Sequence, residues 1–223
     1  MIFFNGLQLQ RGLTAIIGGG GKTTLMYRLA EECRTVGTVL VSISTHIRRP
    51  EGIPVLTSAS SAAVLDALTK ERCICLGTEA EGGKLCAPQL SFEQLTQLAD
   101  FVLVEADGAK MLPLKAHLPH EPVIPVNAGQ TILVVGASAF GRKISEVCHR
   151  PELWARRAGM QMDQTVTPQA LARLILHEGY GDRVFINQAE SPRQLEAART
   201  LAALLDRPVA AGSLFKEELL CLS

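Results

Sequence analysis

The stretch AIIGGGGKTTL, residues 15–25, places four consecutive glycines directly before a lysine and two threonines. The full phosphate-loop pattern is G-x-x-x-x-G-K-[ST], and the loop it describes lies between a strand and a helix. Gly21, Lys22 and Thr23 fill the end of that pattern, whereas its leading position falls on Ile16. The sequence therefore predicts a phosphate loop of a short variety, G-x-x-G-K-T-T. The alternative is a strand–helix turn that contains a lysine by chance.

The residue types in this loop suit an anionic ligand. Amides of the loop and of the first helical turn are expected to point at one place, where the helix dipole also favours negative charge. Glycine leaves that approach open, Lys22 can reach the outer phosphates, and the Thr23 hydroxyl can bind Mg²⁺. The predicted nucleotide-binding residues are Gly18, Gly19, Gly20, Gly21, Lys22, Thr23 and Thr24.

Composition argues against several classes of protein. The chain has 223 residues with 22 basic and 22 acidic side chains, so its formal net charge of zero gives no sign of a nucleic-acid-binding surface. No apolar run is long enough to cross a bilayer. The first residues, MIFFNGLQLQRG, lack the features of a signal peptide. We therefore expect a cytoplasmic protein.

The six cysteines are expected to be free thiols rather than disulfides. Cys73 and Cys75 alternate in the apolar run CICL, which is typical of a buried strand, and Cys86 follows nearby. Metal sites usually use C-x-x-C pairs, so structural thiols are favoured over metal ligands here.

Apolar runs alternate with helix-patterned segments along the whole chain. Predicted strands cover residues 13–17, 39–43, 73–76, 101–104, 132–135, 183–186 and a short final PVAAG at 208–212. Predicted helices are Lys22–Cys33, the alanine-rich SASSAAVLDAL at 58–68, and three that begin at Ser91, at Thr167-Pro168 and at Ser191-Pro192. Continuously apolar strands separated by helices are typical of a parallel sheet buried on both faces. The sequence predicts one α/β domain over residues 1–223, with a three-layer phosphate-loop NTPase-like fold whose mainly parallel sheet is covered by helices on both faces.

This architecture predicts where a ligand binds. In an open parallel sheet, ligands bind beyond the carboxyl ends of the strands. Polar residues that directly follow a strand are therefore the site candidates. The segments expected to meet are 18–24, 44–46, 105–110, 136–142 and 187–190.

Two carboxylates follow the apolar strand FVLV. Glu105 and Asp107 are two residues apart, which puts them on one face of an extended chain. A phosphate loop needs such a carboxylate for its magnesium, and another group orients the nucleophile. With Lys22 they form the predicted catalytic set, and Glu105, nearer the strand end, is the preferred metal ligand. The alternative for one of the two is a cap on the turn at Gly108.

Thr45 follows the second predicted strand in SISTHIRRP. A hydroxyl there can approach the γ-phosphate or its magnesium, so Thr45 joins Thr23 and Glu105 as a predicted metal ligand. The alternative is a turn before Pro50. Its neighbours His46, Arg48 and Arg49 could serve an anionic substrate or simply be solvated.

The proline-rich segment KMLPLKAHLPHEPVIP, residues 110–125, could form a lid or the wall of a second-substrate site. Lys110, Lys115 and His120 are its candidate contacts to a second substrate, and His120 is also a candidate catalytic residue. A histidine in such a loop is more often structural, so both roles remain open for His120. The same segment also contains His117 and Glu121.

VFINQAE places Asn187 at a strand end, with Glu190 three residues on. The arrangement is a relaxed form of N-K-x-D, the guanine-reading motif, with Gln in place of Lys and Glu in place of Asp. Asn187 is therefore a predicted nucleotide contact, while both departures weaken a prediction of guanine specificity. GASAFGRK at 136–143 has similarly spaced glycines but lacks Lys-Ser/Thr, so it is interpreted as a loop after a strand.

Six segments occur in an order that resembles one family: GGGGKTT, STHIRRP, EADGAKMLPLKAHLPHEPVIP, CHRPE, VTPQALARLILHEGYG and INQAE. Over nearly its full length the chain resembles the selenium-dependent molybdenum hydroxylase accessory proteins, the YqeC-like family. The element EADGAK…LPLKA…HEPVIP is the most specific, since generic phosphate-loop proteins lack it. The resemblance implies a role in maturing or supplying a selenium-containing molybdenum hydroxylase, alongside other accessory proteins. The residues themselves indicate only a nucleotide site.

Three functions remain open. The first is a maturation factor that is switched by Mg²⁺-dependent binding and hydrolysis of ATP or GTP. The second is an ATP-dependent kinase or ligase acting on a small anionic molecule, which the short loop favours because it resembles that of the Mur-type amide ligases more than that of the small GTPases. The third is a nucleotide-binding module with little turnover.

Overall fold

The computed structural model describes residues 1–57 and 60–223. In these residues the strands, in chain order, are β1 (Gly12–Gly18), β2 (Val39–Ile43), β3 (His46–Arg48), β4 (Val55–Thr57), β5 (Cys73–Ala80), β6 (Lys84–Cys86), β7 (Phe101–Glu105), β8 (Leu114–Lys115), β9 (Gln130–Gly136), β10 (Cys148–His149), β11 (Arg183–Asn187), β12 (Val209–Ser213) and β13 (Glu218–Cys221). The α-helices are α1 (Ile2–Gly6), α2 (Lys22–Cys33), α3 (Ser61–Glu71), α4 (Phe92–Leu98), α5 (Ile144–Val147), α6 (Pro151–Ala158), α7 (Pro168–Glu178) and α8 (Pro192–Ala202).

Most strands belong to one large sheet. Its order is β13-β12-β11-β9-β1-β7-β2-β5-β6-β3, with β4 paired to β5. Neighbours from β12 to β5 run parallel, whereas β13, β6 and β3 are antiparallel to the strands beside them. β8 and β10 form a separate parallel pair. The glycine loop therefore leaves the sheet from a central strand, β1, which lies between β9 and β7.

Helices cover both faces of this sheet. Ile16 of β1 belongs to the same hydrophobic core as Leu25 and Leu29 of α2. Ala15 and Ile17 point the other way and belong to the core that α6, α7 and α8 close. Burial on both faces explains why the central strands are uniformly apolar. The prediction of a mixed α/β fold with a large, mainly parallel sheet is confirmed.

The predicted helices form where their capping signals lie. α2 spans Lys22–Cys33, as predicted. Ser91 and Ser191 each accept a hydrogen bond from the amide three residues on, and the glutamine at that position completes a capping box. α3 begins at Ser61, and the first two residues of the predicted helix, 58 and 59, lie outside the described residues.

Two strand predictions were incomplete. The strand predicted at 73–76 continues to Ala80, because the residues at its end pair with β4 and β6. PVAAG is not the final strand, since β13 follows it and pairs antiparallel with β12. β13 is short and mostly exposed, and β6 has three residues of which only Leu85 is buried, so neither has the apolar pattern that marked the other strands.

Two further predictions concern the chain as a whole. Across the described ranges, no helix is both long and apolar enough to span a bilayer. The organisation of the chain as one domain stays a prediction, although strands from residue 12 to residue 221 share the large sheet.

Candidate functional site

The carboxyl ends of β1 and β7 lie side by side. These strands are parallel, and Ile16 is in register with Glu105. The glycine loop, which starts two residues after Ile16, therefore begins beside the segment that carries Glu105 and Asp107. Ser44, which follows β2, donates its amide to the Glu105 carbonyl at 3.1 Å. Three of the segments expected to meet thus reach the same edge of the sheet.

A cavity of about 500 Å³ opens at the N-terminus of α2. One part of its wall runs from Gly20 to Thr24, which includes the Lys22 and Thr23 side chains. Other parts of the wall come from Glu105, Gly108, Met111, His46, Arg48 and Gln188. A helix N-terminus and a lysine in one wall favour a negatively charged ligand.

Thr23 and Glu105 meet at this wall. The Thr23 hydroxyl donates to Glu105 Oε2 at 2.6 Å. Burial raises the pKa of the Glu105 carboxyl, although the charge of Lys22 and the hydrogen bond from Thr23 act to lower it. The pair therefore places two oxygen atoms of the kind that Mg²⁺ prefers at the edge of the cavity.

The Lys22 ammonium turns back onto the glycine loop. Its side chain is only 4% exposed, and Nζ donates to the Gly18 carbonyl at 2.8 Å. Nζ also lies 3.2 Å from Asp107 Oδ1 and 3.6 Å from Glu105 Oε1. Lys22 thus neutralises both carboxylates that the sequence analysis placed beside it.

The glycine loop uses part of its own backbone internally. Three amides donate to protein acceptors: Gly18 to Asp107 Oδ2 at 3.0 Å, Gly19 to the Val134 carbonyl at 2.9 Å and Gly20 to the Leu112 carbonyl at 3.1 Å. We expected all the loop amides to point at a ligand, and for these three the expectation was wrong. The wall of the cavity begins at Gly20 and continues through the first turn of α2.

Neighbouring chain segments explain the four glycines. Added Cβ atoms would lie 2.2 Å from the Val134 carbonyl oxygen at Gly18, 2.6 Å from the Leu112 carbonyl oxygen at Gly19, 2.5 Å from the Gly136 amide nitrogen at Gly20 and 2.6 Å from Asn187 Nδ2 at Gly21. Three of the four also have positive φ, a conformation that glycine adopts without steric cost. The sequence analysis attributed the glycines to the close approach of a ligand, whereas packing within the protein requires them already.

Asp107 is fully buried behind the loop. Its Oδ2 accepts from the Gly18 amide at 3.0 Å and lies 2.7 Å from His117 Nε2 and 3.3 Å from Lys115 Nζ. Its Oδ1 faces Lys22, but no donor in the described residues is aligned on that oxygen. Burial by itself would raise the pKa of Asp107. The hydrogen bond with His117 and the charges of Lys22 and Lys115 outweigh burial and hold that pKa well below its ordinary range.

His117 connects Asp107 to Glu178 at the end of α7. Its Nδ1 lies 2.6 Å from Glu178 Oε2, opposite the contact of Nε2 with Asp107. Ionised carboxylates only accept, so both ring nitrogens must donate. Burial lowers the pKa of His117, but these two hydrogen bonds more than offset it and raise the pKa. The sequence analysis gave no role to His117 and favoured His120, although Lys115 and His117 are two apart and share a face of an extended chain.

Glu121 continues the network on the other side of Lys115. Lys115 Nζ donates to the Gly108 carbonyl at 2.7 Å and lies 2.9 Å from Glu121 Oε2. Arg150 forms a bidentate pair with Glu121 at 2.5 and 3.0 Å. Burial acts to raise the pKa of Glu121, but the hydrogen bonds from Arg150 and Lys115 lower it to about 2. The Lys115 side chain is 0% exposed and engaged by two carboxylates and a backbone carbonyl, which disfavours its predicted contact with a second substrate.

Lys110 and His120, the other candidate contacts to a second substrate, are exposed. In the described part of the chain, neither side chain forms a hydrogen bond or an ion pair, and neither lines the cavity. The structure therefore does not bring His120 to the carboxylates. Between them in sequence, Met111 is 94% exposed and does line the cavity.

Thr45 lies at the expected edge of the sheet. Among the described residues that line the cavity, Thr45 is absent. Its Oγ1 is buried and has no hydrogen-bond partner in that part of the chain. His46 and Arg48, on β3, are exposed and line the cavity. Arg49 instead lies 3.5 Å from Glu79. Metal binding by Thr45 stays a prediction, while its neighbours bring the imidazole of His46 and the positive charge of Arg48 to the cavity.

Asn187 is buried and supports the glycine loop. Its Nδ2 donates to the Gly20 carbonyl at 2.7 Å, and its Oδ1 accepts from the Leu214 amide at 3.1 Å. Both ends of the amide are thus engaged within the protein, and contact of Asn187 with a nucleotide stays a prediction. Glu190 accepts from the Ser213 hydroxyl at 2.7 Å. The structure thus gives the N-Q-x-E segment a supporting role.

The cysteines Cys33, Cys73, Cys75, Cys86, Cys148 and Cys221 are free thiols. Burial raises the pKa of Cys33, Cys75 and Cys148 to about 12, so these side chains stay neutral at ordinary pH. Over residues 1–57 and 60–223, no group of three or more His, Cys, Asp and Glu side chains is placed to hold a metal ion. A metal ion in the cavity would therefore take further ligands from a bound molecule or from water.

Comparison with known proteins identifies relatives of this chain. A family model described as YqeC protein matches residues 14–152, a range that contains the glycine loop, both carboxylates and His117. The chain is also 34% identical over 181 residues to a protein of Escherichia coli (strain K12) named "Uncharacterized protein YqeC". That match covers 77% of this chain and 70% of the relative. These names identify a family and state no activity.

Proposed function

This chain belongs to the YqeC family, and we propose that it binds a nucleoside triphosphate, ATP or GTP, together with Mg²⁺ in the cavity at the N-terminus of α2. The observation that carries the proposal is the composition of one wall. That wall contains the first turn of α2, the side chains of Lys22 and Thr23, and Glu105 from the neighbouring strand β7. Each of these supplies something that a phosphate chain or its cation requires.

The first turn of α2 supports phosphate binding. The leading N–H groups of a helix have no acceptors within the helix, and its dipole adds partial positive charge. Lys22 contributes a full positive charge at the same place. His46 and Arg48 also line the cavity, so a chain of several phosphates finds more than one cation there.

Lys22 must exchange partners when a phosphate arrives. In the structure its ammonium lies 3.6 Å from Glu105 Oε1 and 3.2 Å from Asp107 Oδ1 and neutralises both carboxylates. A triphosphate competes with these carboxylates for the ammonium. When Lys22 turns to the phosphate, the charge of Glu105 becomes available for the cation that accompanies the nucleotide.

The residues beside Lys22 fit a magnesium ion. The Thr23 hydroxyl and the Glu105 carboxylate offer hard oxygen ligands, which suit Mg²⁺. The metal would supply neutralisation of phosphate charge as the reaction proceeds. Phosphoryl transfer depends mainly on positioning and charge stabilisation, and these are what Lys22, Thr23 and Glu105 can provide. Asp107 is enclosed by donors, so in this proposal it fixes the loop while Glu105 serves the metal.

An accessory role in the maturation of a selenium-dependent molybdenum hydroxylase is proposed from the resemblance of the ordered motifs. Side-chain contacts connect those motifs to one another, so we consider them one structural unit. Lys115 and His117 of LPLKAH hold Asp107 of EADGAK, and Arg150 of CHRPE holds Glu121 of HEPVIP. A nucleotide that moves Lys22 away from Asp107 changes the charge at the centre of this unit. A client protein or other accessory protein could respond to that change.

A kinase or ligase acting on a small anion receives less support. Lys115, which that hypothesis required at a second-substrate site, is enclosed by Asp107, Glu121 and the Gly108 carbonyl. Among the described residues, the guanidinium of Arg48 and the imidazole of His46 remain available at the cavity. The phosphates of the nucleotide itself would serve equally well as the binding partners of these two side chains.

Isothermal calorimetry with ATP and with GTP, each in the presence and absence of Mg²⁺, tests the proposal. Lys22→Ala should weaken triphosphate binding by about 1.5–3 kcal/mol, because a charge-assisted contact to phosphate is lost. Lys70→Ala is the matched control, since Lys70 is exposed and pairs only with Asp66 on its own helix. If Lys22→Ala is unstable, Lys22→Gln takes its place in the experiment, because the glutamine amide keeps a donor for the Gly18 carbonyl. Unchanged affinity in a Lys22 variant with a native circular dichroism spectrum would overturn the proposal.

A further inference from the structure

We infer that His117 is a positioning residue for the site proposed above: by holding Oδ2 of Asp107 in place, it keeps this carboxylate from competing with a triphosphate for Lys22. The effect on triphosphate binding rests on the proposed nucleotide function. The positioning of Asp107 by His117 rests only on hydrogen bonds within the protein. His117 is 1% exposed, so it acts through Asp107 and not by touching a ligand.

The two oxygens of Asp107 face different parts of the site. Oδ2 is bound by the Gly18 amide at 3.0 Å and by His117 Nε2 at 2.7 Å. Oδ1 faces Lys22 at 3.2 Å without an aligned donor in the described residues. The carboxylate therefore has a firmly held side, toward the glycine loop, and a weakly held side, toward the lysine.

This asymmetry allows Lys22 to leave. A buried carboxylate that loses its main donor must find another, because an unpaired buried charge is strongly unfavourable. Without His117, two ammonium groups remain at Asp107: Lys115 at 3.3 Å from Oδ2 and Lys22 at 3.2 Å from Oδ1. Lys115 is also held by Glu121 and the Gly108 carbonyl, so we expect Lys22 to take up the charge of Asp107. The lysine would then be held more tightly in the ligand-free protein, and a phosphate would have to displace a stronger ion pair.

His117 is better suited to this task than Lys115, the other cation near Oδ2. Lys115 Nζ is farther from Oδ2, at 3.3 Å, and is shared with Glu121 and the Gly108 carbonyl. The His117 ring is fixed by Glu178 at Nδ1 and by edge-to-face packing on Tyr180 at 5.4 Å between centroids. A rigid ring held from behind can keep a carboxylate in one orientation.

Two isosteric variants separate the two contacts of His117. In His117→Gln the amide nitrogen takes the place of Nε2, so a donor to Asp107 remains. In His117→Asn the shorter amide reaches only as far as Nδ1, so a donor to Glu178 remains and Asp107 loses its partner. Both variants keep the His117 backbone amide, which donates to Glu178 Oε1 at 3.0 Å, and therefore retain this anchor of the segment.

The first measurement uses the ligand-free protein. Hydrogen exchange of the Gly18 amide, followed by NMR, should be at least about tenfold faster in His117→Asn than in wild type and within about threefold of wild type in His117→Gln. Equal exchange in the two variants would show that His117 does not position Asp107, and would overturn the inference whether or not the protein binds nucleotide.

The second measurement is triphosphate affinity by calorimetry on the same variants. His117→Asn should bind about tenfold more weakly than wild type, and His117→Gln within about threefold. A purely structural role predicts instead equal affinities per folded molecule with lowered melting temperatures in both. Slow Gly18 exchange in His117→Gln, with no triphosphate binding by wild type, would refute the proposed function while leaving the positioning of Asp107 established.

A titration of wild type with Mg-ATP covers the case in which His117→Asn does not fold. With ¹⁵N-labelled histidine, the His117 Nε2 resonance should move as Lys22 leaves Asp107. His177, at the exposed surface of α7, should not respond. A His117 resonance that stays fixed at saturation of the site would overturn the inference.

Discussion

Thr23 and Glu105 are joined across the carboxyl edge of the sheet by a hydrogen bond of 2.6 Å from the threonine hydroxyl to Oε2. Thr23 lies in the first turn of α2, and Glu105 is the last residue of β7. One contact therefore ties the helix that follows the glycine loop to a neighbouring strand. In the proposed function, these two side chains would hold the Mg²⁺ ion that accompanies the nucleotide.

Glu105→Gln is expected to reduce the Mg²⁺-dependent part of triphosphate affinity by at least about tenfold, or 1.4 kcal/mol. An amide is a poorer ligand than a carboxylate for a hard cation. The melting temperature of the ligand-free protein should change little, because burial already raises the pKa of this carboxyl and makes its charge unfavourable. Calorimetry with and without Mg²⁺ gives the comparison, with Asp66→Asn as an exposed control. An unchanged Mg²⁺ dependence would assign the metal elsewhere.

Gly21→Ala should destabilise the protein more than Gly82→Ala does. Both glycines have positive φ, 118° and 70°, but an added Cβ meets Asn187 Nδ2 at 2.6 Å at the first and nothing within 4 Å at the second. Gly82→Ala should cost about 1–2 kcal/mol of backbone strain, and Gly21→Ala roughly 1–3 kcal/mol more from overpacking. Urea denaturation measures both free energies of unfolding.

A double-mutant cycle assigns that difference to its cause. Asn187→Ala removes the group that the new Cβ meets, so Gly21→Ala should be less damaging in this background, with a coupling energy of about 0.5–3 kcal/mol. Additive effects of the two changes would mean that Asn187 does not explain the glycine.

Lys115→Met should be one of the most destabilising single changes in the segment 110–125. It leaves Asp107 and Glu121 without the ammonium they share, and breaking a buried ion pair costs about 3–5 kcal/mol. His120→Ala, in the same segment, should stay within about 0.5 kcal/mol of wild type because this side chain is exposed. Thermal denaturation of the two variants is the measurement. A stable Lys115→Met protein with defective turnover would restore the second-substrate hypothesis.

Acid should remove the stability that Glu121 contributes. The pKa of Glu121 falls from its ordinary value of 4.5 to about 2 in the folded protein. A carboxyl whose pKa is lower in the folded than in the unfolded protein stabilises the fold at pH values above its ordinary pKa. This stability is lost as the pH falls through the pKa of the folded protein. Glu121→Gln should therefore be less stable than wild type at pH 6, and the difference should shrink as pH falls from about 5 toward 2. A pH-independent difference would contradict this assignment.

The part of the site that lies on regular elements could be predicted from the sequence. The apolar strand before GGGGKTT and the amphipathic segment after it fix β1 and α2, and parallel pairing then brings Glu105 beside Thr23. These relationships depend on local pattern and on the general geometry of a parallel sheet. For this reason the predicted meeting of Lys22, Thr23, Glu105 and Asp107 agrees with the structure.

The proline-rich segment could not be predicted in the same way. His117 and His120 are three residues apart, and sequence alone does not say which is buried. His117 is buried because two distant partners hold its segment in place. Lys115 of β8 pairs in register with His149 of β10, and Glu178 of α7 contacts His117. These partners lie more than thirty residues downstream. The supporting role of Asn187 could not be predicted for a related reason, since its contact with Gly20 joins residues 167 positions apart.

The contact of Asn187 with both Gly20 and Leu214 also affects the order in which the protein can mature on the ribosome. Residues 18–24 are made early, yet the side chain that holds the Gly20 carbonyl emerges late, and the Leu214 amide that fixes this side chain later still. A nascent chain can thus contain the complete GGGGKTT segment, and most of the sheet, before the loop has its supports. Assembly of the site therefore requires synthesis to reach Leu214, and a product truncated before that residue would lack the finished loop.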